Sequence, residues 1–158
     1  MKKKLKIGFF DFTGCEGCQI EILAQNYEFF KLLDDIEIVS MRLLKSTKKS
    51  PKMDVAFVEG AISSKKELPK LKEIRKQAKK VISIGSCATT GGYPKMRNDI
   101  SPQLKEKIKP MIEKFKQIDV KPIHEHIKVE HLLHGCPPKG EEFIKLVRKL
   151  VNNESLGD

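Results

Sequence analysis

The sequence predicts a doubly wound α/β fold: a parallel sheet with helices on both faces. Three observations lead there. Short apolar runs bounded by turn residues recur along the chain, as strands buried on both faces do. They alternate with longer segments whose apolar residues return at threes and fours, the pattern of helices packing on a sheet. The spacing between runs leaves room for the right-handed crossovers that parallel neighbours require. The 158 residues suit one domain over 1–158, with enough chain to bury a core without disulfides.

Taken in order, Leu5-Lys6-Ile7-Gly8-Phe9-Phe10 is the first strand, short, apolar and bounded. Phe12-Thr13-Gly14-Cys15-Glu16-Gly17-Cys18 follows as a loop that carries two thiols one short turn apart. From Gln19 to about Leu33, the residues Ile20, Leu23, Ala24, Tyr27, Phe30 and Leu33 form the stripe of one helix. Ile36 to Met41 alternates as a second strand, and a basic loop from Lys45 to Pro51 leads to a third strand, Met53 to Gly60. A helix is expected from Ser64 to Lys80, with Leu68, Leu71, Ile74 and Ala78 on its inner face. The compact, β-branched run Val81 to Gly85 is the fourth strand and passes straight into Ser86-Cys87-Ala88-Thr89-Thr90-Gly91-Gly92.

The region from about 91 to 122 reads as a surface insertion, because turn residues cluster at Gly91-Gly92-Tyr93-Pro94 and Asp99-Ile100-Ser101-Pro102. Within it a lysine-rich helical piece, Gln103 to Gln117, is interrupted near Pro110. Ile127 to Leu133 is the last strand, and His134-Gly135-Cys136-Pro137-Pro138 turns at its end. A final helix, Gly140 to Val151, has Phe143, Val147 and Leu150 on one face, and the tail from Asn152 to Asp158 is expected to fray.

Composition removes several function classes. The net charge of +10 comes from 31 basic and 21 acidic residues, and the excess falls in segments such as Lys65 to Lys80, where it forms a solvated helix face. No nucleic-acid reading motif and no interleaving of aromatics with the lysines accompanies it, so no nucleic acid is expected as partner. No run approaches the ~20 apolar residues of a membrane span. The start, Met1-Lys2-Lys3-Lys4, leads into an apolar run interrupted by Lys6 and ended by Asp11, with no cleavage site or twin arginine. Four cysteines in this length fall below the density of a disulfide scaffold. A reducing, cytoplasmic setting without direct membrane insertion is the expectation.

The chemistry lies in those cysteines. Ligands of open α/β sheets bind beyond the carboxyl ends of the strands, and three cysteine loops sit at that edge. Cys15, Cys18, Cys87 and Cys136 are therefore the expected ligands of one metal centre. Four thiolates satisfy tetrahedral zinc or an iron–sulfur cluster. Structural zinc sites use two short CxxC-type pairs, whereas here one pair is joined by two isolated cysteines; that suits a larger object gripped from several sides, such as a [4Fe–4S] cube. A redox-active CxxC of thioredoxin type is a rival that leaves Cys87 and Cys136 without a role.

Around the cofactor, Gly14, Gly17, Gly85, Gly91, Gly92 and Gly135 let backbone approach and free amides to donate to cluster sulfurs, with Ser86 beside Cys87 and with Pro137 and Pro138 stiffening the last loop. Glu16 would lower the cluster potential, stop protons, or face solvent or a partner subunit. His124 and His126 share one side of an extended segment and make a conceivable metal or proton pair; His131 reads as part of the approach to the last strand, and His134 stands beside the third cysteine loop.

Thr13-Gly14-Cys15-Glu16-Gly17-Cys18, Val58-Glu59-Gly60, Ile84-Gly85-Ser86-Cys87-Ala88 with Gly91-Gly92, and Gly135-Cys136-Pro137-Pro138 together resemble the small, electron-transferring subunit of [NiFe] hydrogenases. Its relative, the cluster-bearing subunit of respiratory NADH:quinone oxidoreductase, carries adjacent cysteines where this chain has Cys15-x-x-Cys18. The resemblance covers nearly the whole chain. It implies a flavodoxin-like sheet, a single proximal [4Fe–4S] cluster, and a large partner subunit that carries the nickel–iron centre, this chain having no catalytic centre of its own.

The best-known small subunits carry a C-terminal extension with further cysteines and a histidine for medial and distal clusters, and exported forms carry a twin-arginine leader. Neither is visible here, which fits the short, cytoplasmic type that hands electrons to a further iron–sulfur or flavin subunit. Glu16, Glu59, the Thr89 to Pro94 loop and His134 are the expected contacts with the large subunit. The alternatives are a related quinone- or ferredoxin-linked complex without hydrogenase activity, and a structural zinc-binding interaction module.

Overall fold

In a computed structural model that describes residues 3–44 and 51–157, strand β1 (Leu5–Asp11) buries Ile7 and Phe9 toward one face of the sheet and Phe10 toward the other. Residues 45–50 of the expected basic loop lie outside the described residues. The chain continues through α1 (Gly17–Leu23), α2 (Tyr27–Leu32), β2 (Ile36–Ser40), β3 (Met53–Glu59), β4 (Ile62–Ser64), α3 (Leu68–Gln77) and β5 (Ala78–Ile84). It then runs through α4 (Gly85–Thr90), α5 (Gly92–Lys95), a 3-10 turn (Met96–Asp99), α6 (Pro102–Lys114) and β6 (Gln117–Lys121). A second 3-10 turn (Ile123–Glu125), β7 (His131–Leu133) and α7 (Gly140–Val151) complete it.

The five-stranded sheet has the order β2-β1-β3-β5-β7 with every pairing parallel. Counting only these five strands, that is the flavodoxin-like order 2-1-3-4-5. Because both faces are covered, neighbouring residues of one strand feed different cores. On one face Phe9 and Phe57 stack at 5.3 Å between centroids, and Phe143 of α7 packs on Phe57 at 4.9 Å. This core also takes Ile22, Phe29 and Leu32 from α1 and α2. On the other face Phe10, Ala56, Val58 and Val81 meet Leu71 and Ile74 of α3.

The expected elements shift where tertiary pairing outweighs local pattern. The single helix from Gln19 to Leu33 is two, because Asn26 adopts φ 46° and ψ −110° between them. The break rotates the stripe: Ile20, Tyr27 and Phe30 point outward, and Ile22, Phe29 and Leu32 take the buried positions. Residues 78–80, expected to end a helix, instead ladder against β3, and the Arg75 guanidinium donates to the Ala78 and Lys79 carbonyls at 2.7 and 2.8 Å. The last strand is shorter than Ile127–Leu133, since the Glu130 carboxylate accepts the Val81 amide at 2.6 Å in the place a longer ladder would use.

The region from 91 to 122 contains a strand pairing that the pattern did not suggest: β6 lies antiparallel to β4, with Ile62 opposite Lys121 and Ser64 opposite Gln117. Helix α6 runs through Pro110 without interruption. The Glu106 carbonyl left without a donor there belongs to an exposed turn, where water can take the bond. Among the described residues no helix is long and apolar enough to cross a membrane.

Candidate metal centre

The first cysteine loop begins where β1 ends and is fastened before it reaches a thiol. Thr13 exchanges backbone hydrogen bonds with Ala61, 3.1 Å from its own amide and 2.8 Å to its carbonyl. Its hydroxyl lies 2.6 Å from Ser63 Oγ and donates to Glu67 Oε1 at 2.9 Å. Glu67 Oε2 in turn accepts the amides of Ser63 and Ser64 at 2.8 and 2.9 Å. The loop is therefore tied to β4 and to the start of α3.

Its far end is fastened by Glu59, the last residue of β3, which is 2% exposed. One carboxylate oxygen accepts the Cys18 amide at 3.2 Å; the other accepts the Gln19 amide at 3.2 Å and Gln19 Nε2 at 3.3 Å. These bonds satisfy donors at the first turn of α1 and set Cys18 facing inward, buried, while Cys15 remains exposed. Glu59, expected at a subunit interface, is thus an internal anchor.

Cys87 sits in α4 directly beyond β5, half-buried, and Cys136 follows β7, exposed. The Ser86 amide donates to the Gly135 carbonyl at 2.7 Å, which locks the second cysteine loop to the third. Gly85, at φ +83°, brings its backbone so close to the first loop that an added Cβ would overlap Cys18 Sγ. Gly135, at φ +127°, folds back on Pro138 in a conformation open to glycine alone. Three segments distant in sequence thereby meet at one edge.

The thiols feel one another. Burial pushes the Cys18 pKa far up, and the Glu59 charge and hydrogen bond, then the charges of Cys15 and Cys87, push it further. Cys87 is raised by burial first and then by Cys136 and Cys15. The thiolates of Cys18 and Cys87 are unfavourable here without a cation, and a bound cation reverses that preference. Among the described residues no group of three or more His, Cys, Asp or Glu side chains is drawn together as for a bound metal ion. The donor chemistry, thiols delivered from three strand ends and within electrostatic reach of one another, is that of a zinc or iron–sulfur site.

Around the cysteines, the amides of Cys18, Gln19 and Ser86 are bonded within the protein. Gly14 approaches the backbone of Gly60, an added Cβ lying 3.3 Å from Gly60 Cα, and Gly17 opens α1 beside Cys15. Pro137 follows Cys136 through a cis peptide bond. Glu16, at φ 62°, turns its carboxylate to Arg42, which also reaches Asp11 at 3.4 Å. His124 lies in a 3-10 turn, so it does not form an extended pair with His126, whose buried Nε2 has no hydrogen-bond partner among the described residues. His134 is exposed.

Sequence reasoning missed Arg42, Gln19 and the Thr13–Ser63–Glu67 group. Arg42 alone carried a signal: it lies two residues past a strand that neighbours β1, at the same edge.

Residues 15–150 match the family described as NADH ubiquinone oxidoreductase, 20 Kd subunit. Among relatives, the delta subunit of the NAD-reducing hydrogenase HoxS of Cupriavidus necator is 28% identical over 94% of this chain and 79% of its own length. The delta subunit of sulfhydrogenase 2 of Pyrococcus furiosus is 29% identical over 90% of this chain, and the gamma subunit of the coenzyme F420 hydrogenase of Methanosarcina barkeri is 32% identical over 89%. The chain spans 60% and 52% of the lengths of those two.

In fold, the chain superposes on a solved NAD+-reducing [NiFe]-hydrogenase in the H2-reduced state with a TM-score of 0.87 at 22% identity, covering 99% of this chain and 96% of that one. The Ni-Fe-Se hydrogenase from Desulfomicrobium baculatum gives 0.68 at 15% identity, covering 96% and 64%.

Proposed function

The chain belongs to the family of the 20 Kd subunit of NADH ubiquinone oxidoreductase, and on that premise we propose that it is the electron-transfer small subunit of a multi-subunit [NiFe] hydrogenase. In this reading it is one domain with an insertion at 91–122. It carries no catalytic centre, works in the cytoplasm, and stands between a large subunit with the nickel–iron centre and a further iron–sulfur or flavin subunit. The observation that supports it is the meeting of Cys15, Cys18, Cys87 and Cys136 from three strand ends at one edge of the sheet, within mutual electrostatic reach.

Those four residues would hold one [4Fe–4S] cluster as thiolates. Bound there, the cluster supplies reversible one-electron transfer. The chain's own groups prepare its place. Glu59 holds the backbone at Cys18, the Ser86 amide fixes the third loop against the second, and Gly85 leaves room for Cys18 Sγ. Arg42 offsets part of the negative charge of Glu16 and Asp11 at the rim of the site. The exposed thiols of Cys15 and Cys136 and the exposed Tyr93, whose backbone bonds to Cys87, lie on the side a large subunit would approach.

Anaerobic co-purification of the chain with its partner subunits tests the reading. The expected product is brown, contains about four iron atoms per chain beyond those of the partners, and gives an EPR signal on reduction by hydrogen. A colourless protein with one zinc per chain overturns it. A brown complex that hydrogen does not reduce assigns the chain to a quinone- or ferredoxin-linked relative.

A further inference from the structure

Helix α6 is amphipathic and yet buries none of its residues. Leu104, Ile108, Met111, Ile112 and Phe115 recur at threes and fours, which in a surface helix marks the face turned to a core. Here Leu104, Met111 and Phe115 are 45%, 60% and 47% exposed. Between this face and the start of β6 lies an open groove of about 250 Å³, lined by Arg97, Ile108, Met111, Ile112, Phe115 and Gln117. Its far wall is fixed: Arg97 donates to the Gln117 side chain and the Ile118 carbonyl, while Asn98 bonds both the amide and the carbonyl of Val120 at 2.8 and 2.9 Å.

The charges of α6 are sorted around that face. At 100° per residue, Lys105 and Lys109 border the apolar stripe on one side and Lys107 and Lys114 on the other, whereas Glu106 and Glu113 fall on the opposite side. Lys114 holds its ammonium 5.8 Å from the Phe115 ring centroid, at the lip of the groove. Lys109 reaches Glu106 at 3.6 Å in an exposed pair of little strength. Among the described residues Lys105 and Lys107 have no acidic partner.

We propose that α6 and its groove dock an acidic, amphipathic segment of a partner subunit, which sets an apolar side chain between Met111 and Arg97 and carboxylates against the bordering lysines. The inference rests on the reading of the chain as a subunit of a larger complex and adds a contact surface that contains none of the four cysteines. An anionic bilayer would match the charges, but it has no protruding side chain to fill a concave groove; the concavity selects protein.

The test uses the co-purified complex with a benzophenone amino acid at position 111, and at position 113 as the control on the opposite face of α6. Irradiation is expected to join position 111, and not 113, to a partner peptide that is rich in Asp and Glu and carries apolar residues at helical spacing. Adding Lys105→Glu and Lys107→Glu should cut that yield by about tenfold while the iron content stays unchanged. Equal yields from 111 and 113, or a cross-linked peptide that is basic, overturns the docking surface.

A chain that instead sediments with phosphatidylcholine–phosphatidylglycerol vesicles, and loses this with Met111→Glu, assigns the face to membrane and also overturns it. A chain that purifies alone but keeps its iron overturns the docking surface and leaves the cluster standing. A chain in complex without iron, cross-linking as expected, does the reverse.

Discussion

At the carboxyl edge of the sheet and along α6, the protein treats its interior in opposite ways. The edge gathers three loops joined by backbone bonds and by the buried carboxylate of Glu59, so that displacing the first cysteine loop breaks bonds shielded from water. The helix is held by its N-cap, by one face of β6 and by half-buried Ile108 and Ile112, with its polar groups in solvent. The difference teaches where geometry is demanded. A site that must place four thiols tolerates little movement, whereas a docking surface needs only the right mixture of apolar and charged groups.

The comparison breaks most readily at Glu59. Replacing it with alanine strands the Cys18 amide, the Gln19 amide and Gln19 Nε2 inside the protein, where each unpaired donor costs about 1–3 kcal/mol. Partial relaxation and entry of water would reduce the sum to roughly 3 kcal/mol, read as a lower denaturant midpoint. The same variant should hold less iron, because α1 is no longer fixed at Cys18. If stability and iron content both stay at the starting level, the edge is not organised by this carboxylate.

This dependence on Glu59 explains what could be read in advance. The sheet was legible because its strands are buried on both faces, and such runs look alike wherever they occur: Ile7 to Phe10, Val55 to Val58 and Val81 to Ile84 all announce themselves. The placement of the three cysteine loops was legible because each follows a strand. Glu59 was visible only as part of a motif, since a carboxylate's burial depends on which amides approach it from another segment. The break at Asn26 and the β4–β6 pair were hidden for a similar reason, the first resting on one residue's φ, the second on three-residue contacts with no period of their own.

An effect of intermediate size belongs to the stretch that leads from the insertion back to the cysteine edge. Burial lowers the pKa of His126 below its ordinary 6.5, an effect that Glu125 opposes and Lys121 reinforces. Burial likewise lowers His131, opposed by a hydrogen bond to the Gly157 backbone and aided by Lys149 and His134. Each ring binds its proton more readily in the unfolded chain. Stability is therefore complete above about pH 6.5 and falls as the pH drops through that value toward the folded pKa. Asp54, where bonds from Lys79 and the Lys6 amide overcome burial to hold the carboxylate low, adds its own loss only in the carboxylate range. Thermal unfolding between pH 7.5 and 5.5 should show a falling midpoint, flattened in a His126→Gln, His131→Gln double variant; an unchanged slope in that variant would assign the pH dependence elsewhere.

The smallest effect is expected at the N-terminus of α6, and it sharpens the contrast from the other side. Ser101 Oγ accepts the Leu104 amide at 3.3 Å, and loss of such a cap costs about 1 kcal/mol. Because α6 buries nothing, that cost should remain within the helix rather than spread to the sheet. Ser101→Ala should then leave the global denaturation midpoint and the iron content close to their starting values, while amides early in α6 exchange about fivefold faster. A global loss comparable to that of Glu59→Ala would mean that the insertion and the cysteine edge unfold as one unit, and that the strand pair β4–β6 couples them more tightly than the exposure of α6 suggests.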